Sequence, residues 1–367
     1  MLYENLFKNP KDAAEILRKI EHCSDGSGQI RLMEICGTHT MAIARSGIRS
    51  VLPASVRLLS GPGCPVCVTP AGMIDMILEL AQRPGVLIAS YGDLLRVPGS
   101  RQGDSLLSRR AQGALVESVY SPVDAVHLAE AHPELEIVFL GVGFETTAPG
   151  TAACILEAAE RRVKNFSVLC LLKRTEPALR SLIESTDFAV DGFLCPGHVA
   201  AVTGSDAFAF LPRDYGLSGV VSGFEPADLL GSILELVRMV RNRRPALKNE
   251  YTRLVHAEGN VSALRLMEQV FTVSSADWRG LGRIKESGYI LREKYAPWDA
   301  WKKFSLCPAP GKEIPGCRCA QVIRGVQAPS GCPLFGRICS PENPVGPCMV
   351  SGEGACAAAY QYEYDPS

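Results

Sequence analysis

Ser60-Gly61-Pro62-Gly63-Cys64-Pro65-Val66-Cys67-Val68-Thr69 brings a strand end, a tight turn, a dithiol and a helix start into one short stretch. Arg57-Leu58-Leu59 closes an apolar strand. Pro62 fixes φ while Gly61 and Gly63 permit φ > 0, so the chain turns here. Thr69 then reads as the N-cap of a helix with Pro70 at its first position and apolar residues at Met73, Ile74, Ile77, Leu78 and Ala81. Cys64 and Cys67 therefore stand just ahead of a helix N-terminus. The partial positive charge there favours thiolates, the nucleophilic and metal-binding form of cysteine. A CxxC so placed reads as chemistry, with two small buried hydrophobes as the plainer alternative.

Composition bounds what that chemistry serves. The chain has 367 residues, enough for two or three domains with their own cores. A net charge of -1 gives no footing for nucleic acid or an anionic membrane. Apolar runs stop short of the ~18 residues a membrane span needs. The first residues, MLYENLFKNPKDAAEILRKI, mix acids with apolar residues and read as an amphipathic helix, not a signal peptide. A cytoplasmic protein is expected, in which 14 cysteines serve as metal ligands or redox thiols and not as structural disulfides.

Working outward, a strand near Ile30–Ile35 runs into Cys36-Gly37-Thr38-His39-Thr40 and a short helix. Strand ends beside helix starts are where open α/β sheets place their ligands. Cys36 and His39 are three apart and share a face if the helix starts early; a hydrogen-bonded turn residue is the plain reading of His39. Val86–Ser90 is another buried strand, and helix Val123–Ala131 ends before Pro133. From Glu136 the alternation repeats: strand Glu136–Leu140 leads to Gly143-Phe144-Glu145-Thr146-Thr147 and a helix from Thr151. Thr146 replaces the third glycine of a dinucleotide fingerprint, and Lys173-Arg174 stands where an acid would bind ribose, so a nucleotide site is not expected. Strand Gly192–Leu194 ends at Cys195-Pro196-Gly197-His198, and strand Gly219–Ser222 at Gly223-Phe224-Glu225. Glu145, His198 and Glu225 thus lie at strand ends and can converge on a cleft facing Cys36, although each alone reads as a cap or loop residue.

The expected architecture is α/β: two similar Rossmann-like parallel-sheet modules facing a cleft, plus a cysteine-rich iron–sulfur domain. Residues 29–132 form the first module and 133–228 the second. Residues 1–28 and 229–367 form the helical and cysteine-rich part. From Ser305 the periodic apolar pattern fades, and seven cysteines lie between Cys307 and Cys356 among many Gly and Pro residues. Such a segment needs an added source of folding energy, and a metal centre supplies one. Cys317, Cys332, Cys339 and Cys356 are separated by 14, 6 and 16 residues. Close CxxC pairs typical of structural zinc are absent there, and all-thiolate ligation suits an iron–sulfur cluster; Cys319 can replace Cys317.

Five motifs in one order, CGTHT (Cys36–Thr40), GPGCPVC (Gly61–Cys67), GFETT (Gly143–Thr147), PGHV (Pro196–Val199) and the 14, 6, 16 cysteine spacing, resemble the HypD family of [NiFe]-hydrogenase maturation proteins over essentially the whole chain. The resemblance implies a [4Fe-4S] cluster held by Cys317, Cys332, Cys339 and Cys356. It implies a complex with the small protein HypC that assembles an Fe(CN)2CO moiety, with cyanide delivered as a thiocyanate by HypE. Cys36 would bind that iron together with a HypC cysteine, and Cys64 and Cys67 would form a redox dithiol. His39 and His198 are then expected to donate hydrogen bonds or protons to cyanide, with Glu145 as a further candidate site residue. Two other readings remain open at this level. One is a thiol–disulfide oxidoreductase with a structural iron–sulfur cluster; the other is an interaction protein whose cluster staples the fold.

Overall fold

Short apolar runs rich in Val, Ile, Leu and Phe fold as strands: β1 (Ile30–Glu34), β2 (Val56–Ser60), β3 (Val86–Ser90), β4 (Leu115–Ser118), β5 (Glu136–Gly143), β6 (Phe166–Leu172), β7 (Gly192–Pro196), β8 (Ser218–Ser222) and β9 (Leu247–Asn249). In the computed structural model, which describes residues 10–26 and 28–364, they form two sheets with every pair parallel. The first has the order β2-β1-β7-β8-β9 and the second β4-β3-β5-β6. Strands β3, β6, β7 and β8 are buried along their whole length, which explains why they read as runs and not as alternating patterns. The α/β class with two Rossmann-like sheets is thus the one expected.

The sheets divide the chain differently from the expected modules. After β2 the chain leaves the first sheet, builds the whole second sheet with β3 to β6, and returns at β7. The boundaries 29–132 and 133–228 therefore cut across both sheets. CGTHT, GPGCPVC and PGHV follow β1, β2 and β7 of one sheet, while GFETT follows β5 of the other. The reason is that apolar periodicity identifies a strand but carries no information on which neighbour it pairs with. An antiparallel hairpin, β10 (Phe271–Trp278) and β11 (Gly282–Leu291), was not foreseen. Its partly exposed strand faces give weak patterning.

The deciding stretch turns for another reason than expected. Neither Gly61 nor Gly63 lies in the left-handed region. A Cβ on Gly63 would fall 2.3 Å from the Cys36 nitrogen and 2.4 Å from its Cα, so this position needs glycine for close backbone approach. The helix begins at Ala71, with Pro70 in the cap position. The Thr69 hydroxyl does not cap it but donates to the Pro65 carbonyl at 2.9 Å. The N-terminal helix runs from Pro10 to Ser24, and the earlier part of the expected stretch lies outside the described residues. Among the described residues no helix is long and apolar enough to cross a membrane.

Among the described residues after Ser305 the regular structure is short helices, including Cys319–Ile323, Pro347–Val350 and Ala355–Tyr362. The segment nevertheless has an apolar interior: Val322, Ile323, Val345 and Met349 are buried in one core with Cys64, Cys67 and Val68. It packs by sharing the core of the second sheet.

At the end of β1 the fully buried Glu34 carboxylate accepts from Arg49 and from the Ser60 hydroxyl at 2.8 Å, and Arg49 also donates to Glu363 at 2.9 Å. Burial pushes the Glu34 carboxyl above its ordinary range, against the pull of Arg49. Arg49→Met leaves that charge buried without its partner and is expected to cost about 3–5 kcal/mol at pH 7. Urea unfolding of the variant checks this, with a smaller loss at acidic pH, because burial favours the neutral carboxyl and a protonated Glu34 no longer needs its partner.

Candidate functional site

Cys36 ends the turn after β1 and stands in the cap position of helix Gly37–Arg45. Its sulfur lies 3.4 Å from His198 Nε2, which follows β7. Around it Ile35 and Pro62 from the first sheet meet Phe144, Thr175 and Trp278 from the second sheet and the hairpin. The gap between them is about 10 Å³, room for one water at most. Burial pushes the Cys36 thiol up to about 12, and the charge of Glu353 adds to this. Backbone N–H groups of the helix start oppose the shift and lose: desolvation moves a pKa by several units, a helix terminus by less than one. Cys36 is therefore a neutral thiol until a cation displaces its proton.

Both imidazoles of the expected set come to this place. His39 is fully buried, and its Nε2–H donates to the Gly223 carbonyl at 3.0 Å. Its Nδ1 is buried without a hydrogen-bond partner. Phe224 lies against both rings, 4.7 Å from His39 and 4.9 Å from His198 between centroids. Burial pushes both histidines down to about 4, His39 being further disfavoured as a cation by His198. They are neutral at physiological pH.

The expected convergence of carboxylates does not occur. Both oxygens of Glu145 accept from Thr175, one from its backbone N–H at 2.7 Å and one from its hydroxyl at 2.7 Å. Glu145 thereby fixes the start of helix Thr175–Ile183, next to the gap but not in it. Glu225 caps helix Pro226–Arg241. The carboxylate that does approach is Glu353, which accepts from the Thr38 hydroxyl at 2.6 Å and packs against Gly37. It comes from the cysteine-rich end of the chain, and nothing periodic marks it; its place in Gly352-Glu353-Gly354, close before Cys356, is the one available signal.

The dithiol turn packs directly on Cys36 through Gly63, whose carbonyl accepts from the Gly37 N–H at 3.1 Å. Cys64 and Cys67 are joined in a disulfide with Cα atoms 5.2 Å apart, and both are buried, 5% and 2% exposed. Cys67 Sγ lies 4.0 Å from the Pro347 carbonyl oxygen, which puts the dithiol beside Cys348.

The C-terminal thiols gather behind it. Cys319 lies beside Cys317 and Cys348, and Cys348 beside Cys356. Cys339 lies within electrostatic reach of Cys356 and Cys332. Cys317 is pushed up by the neighbouring Cys319 and by burial, whereas Cys319 is held well below the usual thiol range by Cys317 and Cys348. Gly346 stands where a Cβ would come 2.8 Å from Cys317 Sγ, so the sulfurs line a surface kept clear of side chain. Among the described residues no three His, Cys, Asp or Glu side chains are grouped so that they could hold a single ion. A four-iron cluster asks for something else, four soft thiolates at the corners of a larger body, and this donor set has that chemistry. Cys319 and Cys348 were not needed for the expected ligand set and lie inside it.

The histidines make stability depend on pH. The unfolded chain takes up their protons near 6.5, the folded chain only near 4, so acidification between those values favours unfolding. From pH 7 to pH 5 the loss is expected to be about 2 kcal/mol for His39 and less for the more accessible His198. Urea midpoints at the two pH values measure it, and His39→Gln removes its share of the difference.

Known proteins with similar sequences bear on this arrangement. A HypD family model, described as hydrogenase formation hypA family, matches residues 11–363. The chain is 46% identical to the hydrogenase maturation factor HypD of Azotobacter vinelandii over 368 residues, covering 99% of this chain and 97% of that one. It is 43% identical to HypD of Escherichia coli (strain K12) over 362 residues, 96% of each. HypD of Rhodobacter capsulatus is 41% identical over 372 residues, 99% of this chain and 98% of that protein. With the five motifs now gathered around Cys36 and the dithiol, the chain belongs to the HypD family of hydrogenase maturation factors.

Proposed function

We propose that this chain is the cytoplasmic scaffold on which the Fe(CN)2CO moiety of a [NiFe]-hydrogenase is assembled, in complex with HypC and with cyanide delivered by HypE. The observation that carries the reading is the buried Cys36 thiol, 3.4 Å from His198 and packed on the dithiol turn. The iron is cargo here, and Cys36 takes it as a thiolate, its proton leaving as the cation arrives. Neutral His39 and His198 suit this step, since each ring can present an N–H or a lone pair but adds no competing charge. The apolar rings of Phe224, Phe144 and Trp278 keep water from the iron and its cyanide ligands. The two sheets must part to admit the cargo, because the present gap is too small for it.

Opening of the Cys64–Cys67 disulfide consumes two electrons and two protons, and its closing returns them beside Cys36. Cys317 or Cys319, with Cys332, Cys339 and Cys356, would hold a [4Fe-4S] cluster. When bound, such a cluster exchanges single electrons. An oxidoreductase acting on protein substrates needs an accessible sulfur. Both sulfurs of this disulfide are buried, which favours the scaffold reading.

Infrared spectroscopy of the protein purified without oxygen together with HypC tests the proposal. Bands of iron-bound cyanide and carbon monoxide are expected, and Cys36→Ala should remove them. Cys67→Ser should keep the visible absorption of the cluster while losing the bands. A blank window in wild-type complex with full iron and sulfide content would sink the proposal.

A further inference from the structure

The turn between β10 and β11 is wedged between the dithiol and the cysteine-rich segment. On one side the Arg279 N–H donates to the Val68 carbonyl at 2.8 Å, and its Nε donates to the Thr69 carbonyl at 3.0 Å, directly after Cys67. On the other side Gly280, at φ +80, lies so close to Ala320 that a Cβ would meet its carbonyl oxygen at 3.0 Å. Ala320 is the neighbour of Cys319, so one short turn touches both sulfur sites.

The charge on this turn is only half accounted for. Arg279 Nη1 donates to Glu313 at 2.6 Å, but the Arg279 side chain is 4% exposed and the Glu313 carboxylate 50%. A solvated carboxylate neutralises a buried guanidinium weakly. Nη2 is buried with no hydrogen-bond partner. A buried charged donor without an acceptor is costly, and it is rare unless the site holds a counter-charge when complete. On the far side of the turn the guanidinium lies within electrostatic reach of Cys319.

We infer that Arg279 is the counter-charge of the thiolate cluster and sets its reduction potential, while its two bonds to Val68 and Thr69 hold the dithiol turn against it. This rests on the cluster reading above. A [4Fe-4S] cluster on four thiolates is an anion that gains one more negative charge on reduction. A fixed buried cation favours the reduced form and raises the potential. Arg279 touches neither cargo nor reacting sulfur and is a positioning residue.

The test is a redox titration of the full chain purified without oxygen, followed by visible absorption and electron paramagnetic resonance, after iron and sulfide have been counted. Arg279→Gln should retain the cluster and shift its midpoint potential in the negative direction. Arg279→Lys, which keeps the charge, should fall between Gln and wild type. Glu313→Gln removes the competing carboxylate at a half-exposed position and should shift the potential the opposite way, so the outcome does not depend on the arginine variants folding. Wild-type potentials in Arg279→Gln and Glu313→Gln would overturn the inference while leaving the cluster reading intact. Absence of iron and sulfide from the wild-type protein would overturn both.

Discussion

The contact on which the site depends is backbone against backbone: the dithiol turn lies on Cys36 so closely that Gly63 has no room for a Cβ. Everything chemical is referred to that contact. It joins the end of β1 to the end of β2, and so sets the thiol of one motif against the dithiol of the next. Because the Gly37 N–H also donates to the Gly63 carbonyl, the helix carrying His39 is fixed by the same turn. Backbone atoms in such contact have no rotamers to change. The relative position of Cys36 and the dithiol is therefore stiffer than any pair of side chains on separate loops could be.

Around this fixed pair the protein places groups that are neutral when buried. Cys36 keeps its proton to about 12, and both histidines refuse one until about 4. These shifts point in opposite directions on the pKa scale but share one cause, desolvation of the charged form. The consequence is a site with no internal ion pair to break when cargo arrives. Glu145 and Glu225 are kept out of it by their own obligations, to Thr175 and to a helix start, and Glu353, which does approach, is tied to Thr38.

Much of this was legible in the sequence, and what was not has a physical reason. Cys36, His198 and Cys64–Cys67 were placed correctly at strand ends, because Gly and Pro next to apolar runs mark where strands stop. The role of Gly63 was misread because a turn glycine suggests φ > 0, whereas close approach leaves no mark in sequence. The division into modules failed because β2 and β7 flank β1 in one sheet while far apart in the chain. Phe224, which touches both histidines, and Glu353, which reaches Thr38 from the far end of the chain, are single long-range contacts with no periodicity to announce them.

The cysteine-rich segment shows how these two kinds of information combine. Its sulfurs were visible as a spacing, but its packing was not, because it borrows its core: Val322, Val345 and Met349 are buried against Cys64, Cys67 and Val68. A segment that packs on the dithiol cannot shift without disturbing it, and a dithiol whose turn packs on Cys36 cannot shift without disturbing the thiol. The chain of contacts runs from Cys348 through Pro347 and Cys67 to Gly63 and Cys36. Any change in charge or volume among the C-terminal sulfurs is therefore carried to Cys36 by packing. Arg279 sits beside that chain, on a hairpin turn that touches Val68 and Thr69 after the dithiol and Ala320 beside Cys319.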